Sequence, residues 1–218
     1  MKNVFYTAIL MLFVASSASA QISKGKVLLG GTVAYNQGKS ETINSPSNNP
    51  SKQTFLTISP SIGKVVKENL VLGVQASINT MKYNYEIQNA DNDYKSYGGG
   101  LFLRRYVPLL TRFYFFGQGA ADFTTSEVTQ TYQNQTFGKT KGWNANVSVY
   151  PGLAYGVTQR FYMEAGLNNL LVAGYSHAET ESKDPFNGSV SSSETNTFGF
   201  STSLGSNAAF TIGFRFLL

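Results

Sequence analysis

The chain is 218 residues long, only 13 % of them Asp, Glu, Lys or Arg, and it carries a formal net charge of +5 with one histidine and no cysteine. Without cysteine there is no disulfide framework, no lipid attached through a thiol and no thiolate metal site. The cations Lys24, Lys26, Lys64, Lys67, Arg112 and Arg160 are scattered and form no dense block with interleaved stacking aromatics, which excludes a nucleic-acid surface.

The first twenty residues read as an export signal. Met1-Lys2-Asn3 is a charged start, Val4 to Val14 is apolar, and Ala18-Ser19-Ala20 is a small-residue cleavage site. The apolar run is shorter than the ~20 residues a helical anchor needs. The expectation is cleavage after Ala20 and a single domain over 21–218, folded outside the cytoplasm.

Beyond that point no helical period appears, and aromatic, β-branched, Gly, Ser, Thr and Asn residues dominate. Successive strand side chains point to opposite faces, so alternation is the guide. It predicts eight strands, near 25–36, 53–63, 70–83, 96–107, 113–125, 142–155, 161–173 and 197–218. One parity is apolar: Leu29 and Val33, then Leu72, Val74 and Ile78, then Val147 and Val149, then Ile212, Phe214 and Phe216. The other mixes Gly, polar and aromatic residues.

The connections alternate too. Those at 64–69, 108–112 and 156–160 are tight, whereas 37–52, 84–95, 126–141 and 174–196 are long and rich in Ser, Thr, Asn and Gln. Short turns at one end and long polar loops at the other characterise an outer-membrane barrel. A soluble barrel would turn its apolar parity inward and carry charge outside; the small, Gly-rich parity here suits a narrow interior. Aromatics gather at strand ends, with Phe113, Phe115, Tyr155, Phe161, Phe214 and Phe216 at one rim and Tyr35, Tyr83 and Phe123 toward the other. Pro60 and Pro151 fall inside predicted strands, where each removes a ladder hydrogen bond, so a bulge is expected at each. Whether 198–204 belongs to the last strand is left open by Gly205-Ser206-Asn207.

The stretch Pro60 to Leu72 recurs in form from Pro151 to Met163, and Arg112-Phe113-Tyr114 recurs as Arg160-Phe161-Tyr162, which suggests one hairpin rule for the three tight turns. The Pro60-Ser61-Ile62-Gly63 strand end, the short turn and the Asn69-Leu70-Val71-Leu72-Gly73 strand start resemble the small outer-membrane β-barrel proteins of the OmpA/OmpX type, in the version common in Bacteroidetes-like bacteria; Leu101 to Gly119 fits their middle hairpin. The resemblance covers essentially all of 21–218. It implies an all-β, eight-stranded antiparallel up-and-down transmembrane barrel in the cell outer membrane, with short periplasmic turns and long extracellular loops. Its partners would be outer-membrane lipids and, during biogenesis, the barrel assembly machinery, with an unidentified surface partner at the loops. The C-terminus resembles the assembly signal of that class through Thr211, Gly213, Phe216 and Leu218, the final Leu departing from the usual Phe.

Three charges fall on the lumen-facing parity at similar depth: Arg104, Glu164 and Arg215. An unpaired charge in a narrow low-dielectric interior is costly, so a network is expected, extended by Asp122 and Gln118. Tyr114, Phe116, Tyr150 and Tyr162 would fill more of the space, since eight strands leave an interior that side chains just fill. The expected function is a non-enzymatic envelope-structural or surface-contact barrel, with a narrow passive channel as the alternative. Catalysis has one candidate, Ser176-His177-Ala178-Glu179 in the last long loop, in the style of outer-membrane lipid hydrolases and acyltransferases. Neighbours on an extended chain point apart, so the spacing alone does not supply a triad. No metal cluster, phosphate loop or cofactor motif is expected; Gly98-Gly99-Gly100 is followed by neither a Lys-Ser/Thr pair nor a helix and reads as relief of crowding in the fourth strand.

Overall fold

The computed structural model describes residues 22–40, 50–85, 90–133, 135–167, 170–183, 188–202 and 210–218; the expected signal peptide lies outside them. Among the described residues ten strands run in chain order: β1 (Val27–Ser40), β2 (Ser51–Lys67), β3 (Leu70–Tyr85), β4 (Ala90–Pro108), β5 (Phe113–Tyr132), β6 (Gln135–Gly156), β7 (Phe161–Leu167), β8 (Leu171–Lys183), β9 (Val190–Thr202) and β10 (Phe210–Leu217). Every pairing is antiparallel. Neighbours in sequence pair from β1 to β7, β7 pairs β10, and β10 returns to β1, so the ladder closes on itself as an eight-stranded up-and-down barrel. Closure leaves no open sheet edge around this ring, the condition a β-structure must meet to sit in hydrocarbon. β8 continues β7 beside β6, and β9 pairs β8, forming a hairpin that rises above the ring.

Inside and outside follow the two parities. Outward Leu29, Val74, Leu101, Val147 and Ile212 are 45–61 % exposed, whereas inward Arg104, Tyr106 and Phe116 are at most 2 % exposed. A continuous belt of exposed Leu, Val, Ile and Phe is far larger than a water-soluble monomer tolerates and matches the apolar band of a membrane barrel, ~25 Å tall. Aromatics rim it. At the short-turn end Phe113 meets Tyr155 at 4.7 Å and Phe161 meets Phe216 at 4.9 Å; at the other end Trp143 lies between Phe123 at 5.8 Å and Tyr175 at 5.5 Å. Tyr83 is a correction. The alternation that turns Val74 and Ile78 outward puts Tyr83 on the inward parity, so it is not part of the rim.

The polar stretches read as loops are mostly strand. β5 and β6 stay paired from Phe113↔Tyr155 to Tyr132↔Gln135, with one shift of register between Gln130 and Thr131, and β8–β9 is paired from Leu171↔Thr202 to Lys183↔Val190. Phe198 to Thr202 therefore belongs to β9, and 203–209 lies outside the described residues. The prolines also depart from expectation. Pro60 sits in a gap of the β2–β3 ladder without a change of register; the bulge comes between Val65 and Lys67 instead. Pro151 stands where β6 changes partner from β7 to β8, so its missing donor falls at a real irregularity. Nor do the three tight turns share one rule. The first is the pair Glu68-Asn69, with Asn69 left-handed at φ 60°, while 109–112 and 157–160 are four residues each.

If the belt faces lipid, Val74→Arg lowers stability by about 2–4 kcal/mol, the cost of a charge at mid-belt, whereas Ser77→Thr on the lumen side changes it little. Urea unfolding in lipid vesicles measures both.

Candidate functional site

The inward side chains divide the lumen into a sealed lower part and a polar well. The seal is built on Glu164 of β7. Arg104 Nη1 donates to both its carboxylate oxygens, at 2.7 and 2.6 Å, Tyr106 donates its hydroxyl at 2.7 Å, and Arg215 Nε lies 3.2 Å from Oε2. All four side chains are almost wholly excluded from water. The register produces this cluster: Gly213 of β10 lies opposite Glu164, which places Arg215, two residues on, diagonally beside it, while β4 brings Arg104 and Tyr106 from the far wall.

Charge balance explains what surrounds it. One carboxylate faces two guanidiniums, and Arg104 also lies over the Phe116 ring, 4.4 Å from its centroid, a favourable cation–π position. Arg104 Nε donates to Gln118 at 2.8 Å, Gln118 Nε2 to Gln75 at 3.0 Å, and Gln75 Nε2 to Asp122 at 2.8 Å. Including Asp122, the chain holds two carboxylates against two guanidiniums. Arg215 Nη1 has no hydrogen-bond partner among the described residues.

Aromatic rings fill the remaining cross-section. Tyr162, Tyr114, Tyr106, Phe116 and Tyr150 succeed one another at centroid distances of 5.5–6.1 Å. Glycine makes room for two of them: a Cβ at Gly152 would strike the Phe116 ring, and one at Gly166 would lie 2.7 Å from the Tyr150 hydroxyl. Below, Ile22, Leu28, Val65, Val71 and Leu217 close the short-turn end. Ile22 is held there by its amide donating to Asn69 Oδ1 at 2.9 Å and its carbonyl accepting from the Asn69 amide at 3.0 Å.

Above the plug lies a well of about 390 Å³ lined from β2 to β6 mainly by hydroxyl and amide side chains, with Val172 of β8 beside them and Asp122 the one charged group among the described residues. The glycines of β4 shape its wall. Gly98 faces Thr124 and Gly100 faces Asp122 across the ladder, and a Cβ at either would collide with those residues. This is the crowding that the triple-glycine run relieves.

The sequence-derived candidates thus fall into three groups. Arg104, Glu164 and Arg215 meet directly, Gln118 is bonded to Arg104, and Asp122 joins through Gln75. Of the C-terminal residues, Thr211 and Gly213 point inward; the Thr211 hydroxyl meets the Tyr150 hydroxyl at 2.8 Å, and Gly213 leaves space for Glu164. Phe216 is outward on the lower rim. His177 is outward, stacked on Trp143 at 5.9 Å, with Asn196 at 3.0 Å and Glu179 and Glu194 at 3.5 Å. Ser176 is on the opposite parity and bonds the Thr197 carbonyl at 3.5 Å, so it and His177 do not come together. Sequence reasoning misses Tyr106, Gln75 and Ile22; for Tyr106 the available signal is that it shares parity with Arg104 two residues away.

No protein-family model matches the chain, and no curated protein matches it in sequence. Among solved structures it is similar to the outer membrane protein OprG from Pseudomonas aeruginosa, with a TM-score of 0.50, 11 % identity, and 90 % of this chain and 97 % of that chain covered. It is also matched to Neisserial surface protein A at a TM-score of 0.37 and 14 % identity, over 87 % of this chain and 96 % of that one. The first of these likenesses shows the fold: that of a small outer-membrane β-barrel.

Truncating the central carboxylate strands two cations. Glu164→Ala is expected to cost about 3–5 kcal/mol in vesicle unfolding, and adding Arg215→Ala recovers part of that loss, as a double-mutant cycle reads it.

Proposed function

We propose that this protein is a sealed, non-enzymatic outer-membrane barrel that serves the envelope as a structural element and makes contact through its tall hairpins. The plug carries the reading. The Glu164 carboxylate held through both oxygens by Arg104 Nη1, together with Arg215 and five aromatic rings, occupies the cross-section that a conducting path would need. Such a network supports closure because each member is held by another, and opening it would expose charges that only their partners compensate.

The hairpins support the contact role. β4, β5, β6, β8 and β9 continue well past the upper aromatic rim, and β9 is exposed along its whole length. Their side chains are mainly Ser, Thr, Asn and Gln, with exposed ion pairs such as Lys139–Glu127 at 3.1 Å. In this reading the short turns face the periplasm, Met1–Ala20 directs export, and the C-terminal Thr211, Gly213, Phe216 and Leu218 are read by the assembly machinery. N-terminal sequencing of the protein from an outer-membrane fraction is expected to begin at Gln21; an uncleaved Met1 contradicts the export reading.

In planar bilayers the wild-type barrel is expected to give no steady conductance, and Arg104→Ala to introduce one or to leave the protein unfolded. Steady wild-type conductance that changes with Glu164→Gln would replace this reading by the channel. Lipid hydrolysis or acyl transfer that is lost in His177→Ala would replace it by the enzyme.

A further inference from the structure

The well above the plug shares Gln75 and Asp122 with the plug's hydrogen-bond chain, and the rest of its lining lies outside the seal. We infer that it is a binding site for one small, neutral, polyhydroxylated molecule of monosaccharide size, entering from the long-hairpin end.

Its size falls within the ~300–1,000 Å³ of small-molecule pockets, and its floor is closed by the plug, so a molecule entering it stops there. Its walls supply matched hydrogen-bonding chemistry. Ser59, Ser77, Ser96 and Ser148 present hydroxyls that both donate and accept, and Asn144 and Asn146 present amides that do the same through separate atoms. A ligand dense in hydroxyls uses both roles; a hydrocarbon would pair with none of them.

Charge excludes the other classes. Among the described residues no Lys, Arg or His lines the well, so none of them holds a phosphate or carboxylate there. Its single carboxylate, Asp122, accepts from Gln75 through Oδ1 and is tied through Gln118 to Arg104, which offsets its attraction for a cation. What remains is an acceptor at the floor for ligand hydroxyls. Tyr94, further up β4 from Ser96, adds an aromatic face above it, against which the C–H face of a sugar ring packs.

The wall is also shaped for the space. Gly98 and Gly100 let Thr124 and Asp122 lie flat across β4, and Gly174 does the same for Asn146 from β8, where a Cβ would overlap the amide oxygen. Three glycines opposite three polar side chains of the same cavity keep those groups against the wall and the centre open. The closed floor and the inside–outside assignment are shared with the proposed function; steady wild-type conductance would remove the floor, whereas polyol titration reads the well itself.

Calorimetric titration of the barrel in a sugar-free detergent tests it, with glucose, N-acetylglucosamine and myo-inositol as probes and potassium chloride, ammonium chloride and sodium phosphate as controls. At least one polyol is expected to bind one site per chain with a Kd of about 1 mM, the order a small neutral ligand reaches. Asp122→Asn weakens it about tenfold, one lost charge-assisted hydrogen bond, and Ser77→Trp, which fills the well, abolishes it while heat-modifiable gel migration persists. Should Ser77→Trp fail to fold, Ser148→Leu takes its place with the same expected loss. Absence of polyol binding, binding that survives filling of the well, or binding of the ammonium, potassium or phosphate control in its place overturns the assignment.

Discussion

A carboxylate removed from water inside a barrel is stable only while something holds its charge, and here two guanidiniums and a phenol do so at once. Glu164 accepts from Arg104 and Tyr106 and lies against Arg215. These groups come from β7, β4 and β10, on opposite walls, so the cluster ties the barrel across its diameter as well as around its circumference. The desolvation of three buried charges is large, and attraction between them offsets it only when the geometry is good and the remaining hydrogen bonds are made. The neighbouring aromatics and the Gln118–Gln75–Asp122 chain follow from that requirement: they exclude water, satisfy Arg104 Nε and bring in the second carboxylate.

The same constraint governs where glycine is placed. A narrow barrel that encloses Arg, Tyr and Phe needs inward positions without side chains opposite them, and Gly152 opposite the Phe116 ring and Gly166 opposite Tyr150 meet that need. Higher up, inward residues become small and polar, packing loosens and the well opens. The lumen thus passes from an apolar base at Ile22, through the charged and aromatic seal, to a hydroxyl-lined cup. The outer wall stays apolar through the belt and becomes polar on both faces only above the upper aromatic rim.

That last change explains what sequence reading resolves and what it does not. Within the belt one face meets lipid and the other the lumen, so alternation at Leu72, Val74 and Ile78 or at Ile212, Phe214 and Phe216 reveals strand, face and fold. Above it both faces meet water, alternation vanishes, and Ser126 to Tyr132 or Ser191 to Asn196 looks like loop although it is paired strand. β-Branched Thr in those stretches was the available hint. The cluster's members Arg104, Glu164 and Arg215 were legible because a charge on the lumen parity is conspicuous; Tyr106 and Gln75 were not, because a tyrosine or glutamine there is equally good filler. Pro60 departs from expectation for a simpler reason: a lost donor does not demand an extra residue, and the ladder leaves the bond unmade with its register unchanged.

Because the chain has no native cysteine, single cysteines can report where water reaches. The direct measurement places one at Ser77 in the well, one at Ala154 beside the plug and one at Val147 on the belt, and treats the barrel in a lipid nanodisc with a charged, bilayer-excluded thiol reagent. The account predicts that Ser77→Cys reacts and that Ala154→Cys and Val147→Cys do not. Reaction at Ala154→Cys would mean that water threads the plug, and reaction at Val147→Cys with protection at Ser77→Cys would mean that inside and outside are reversed.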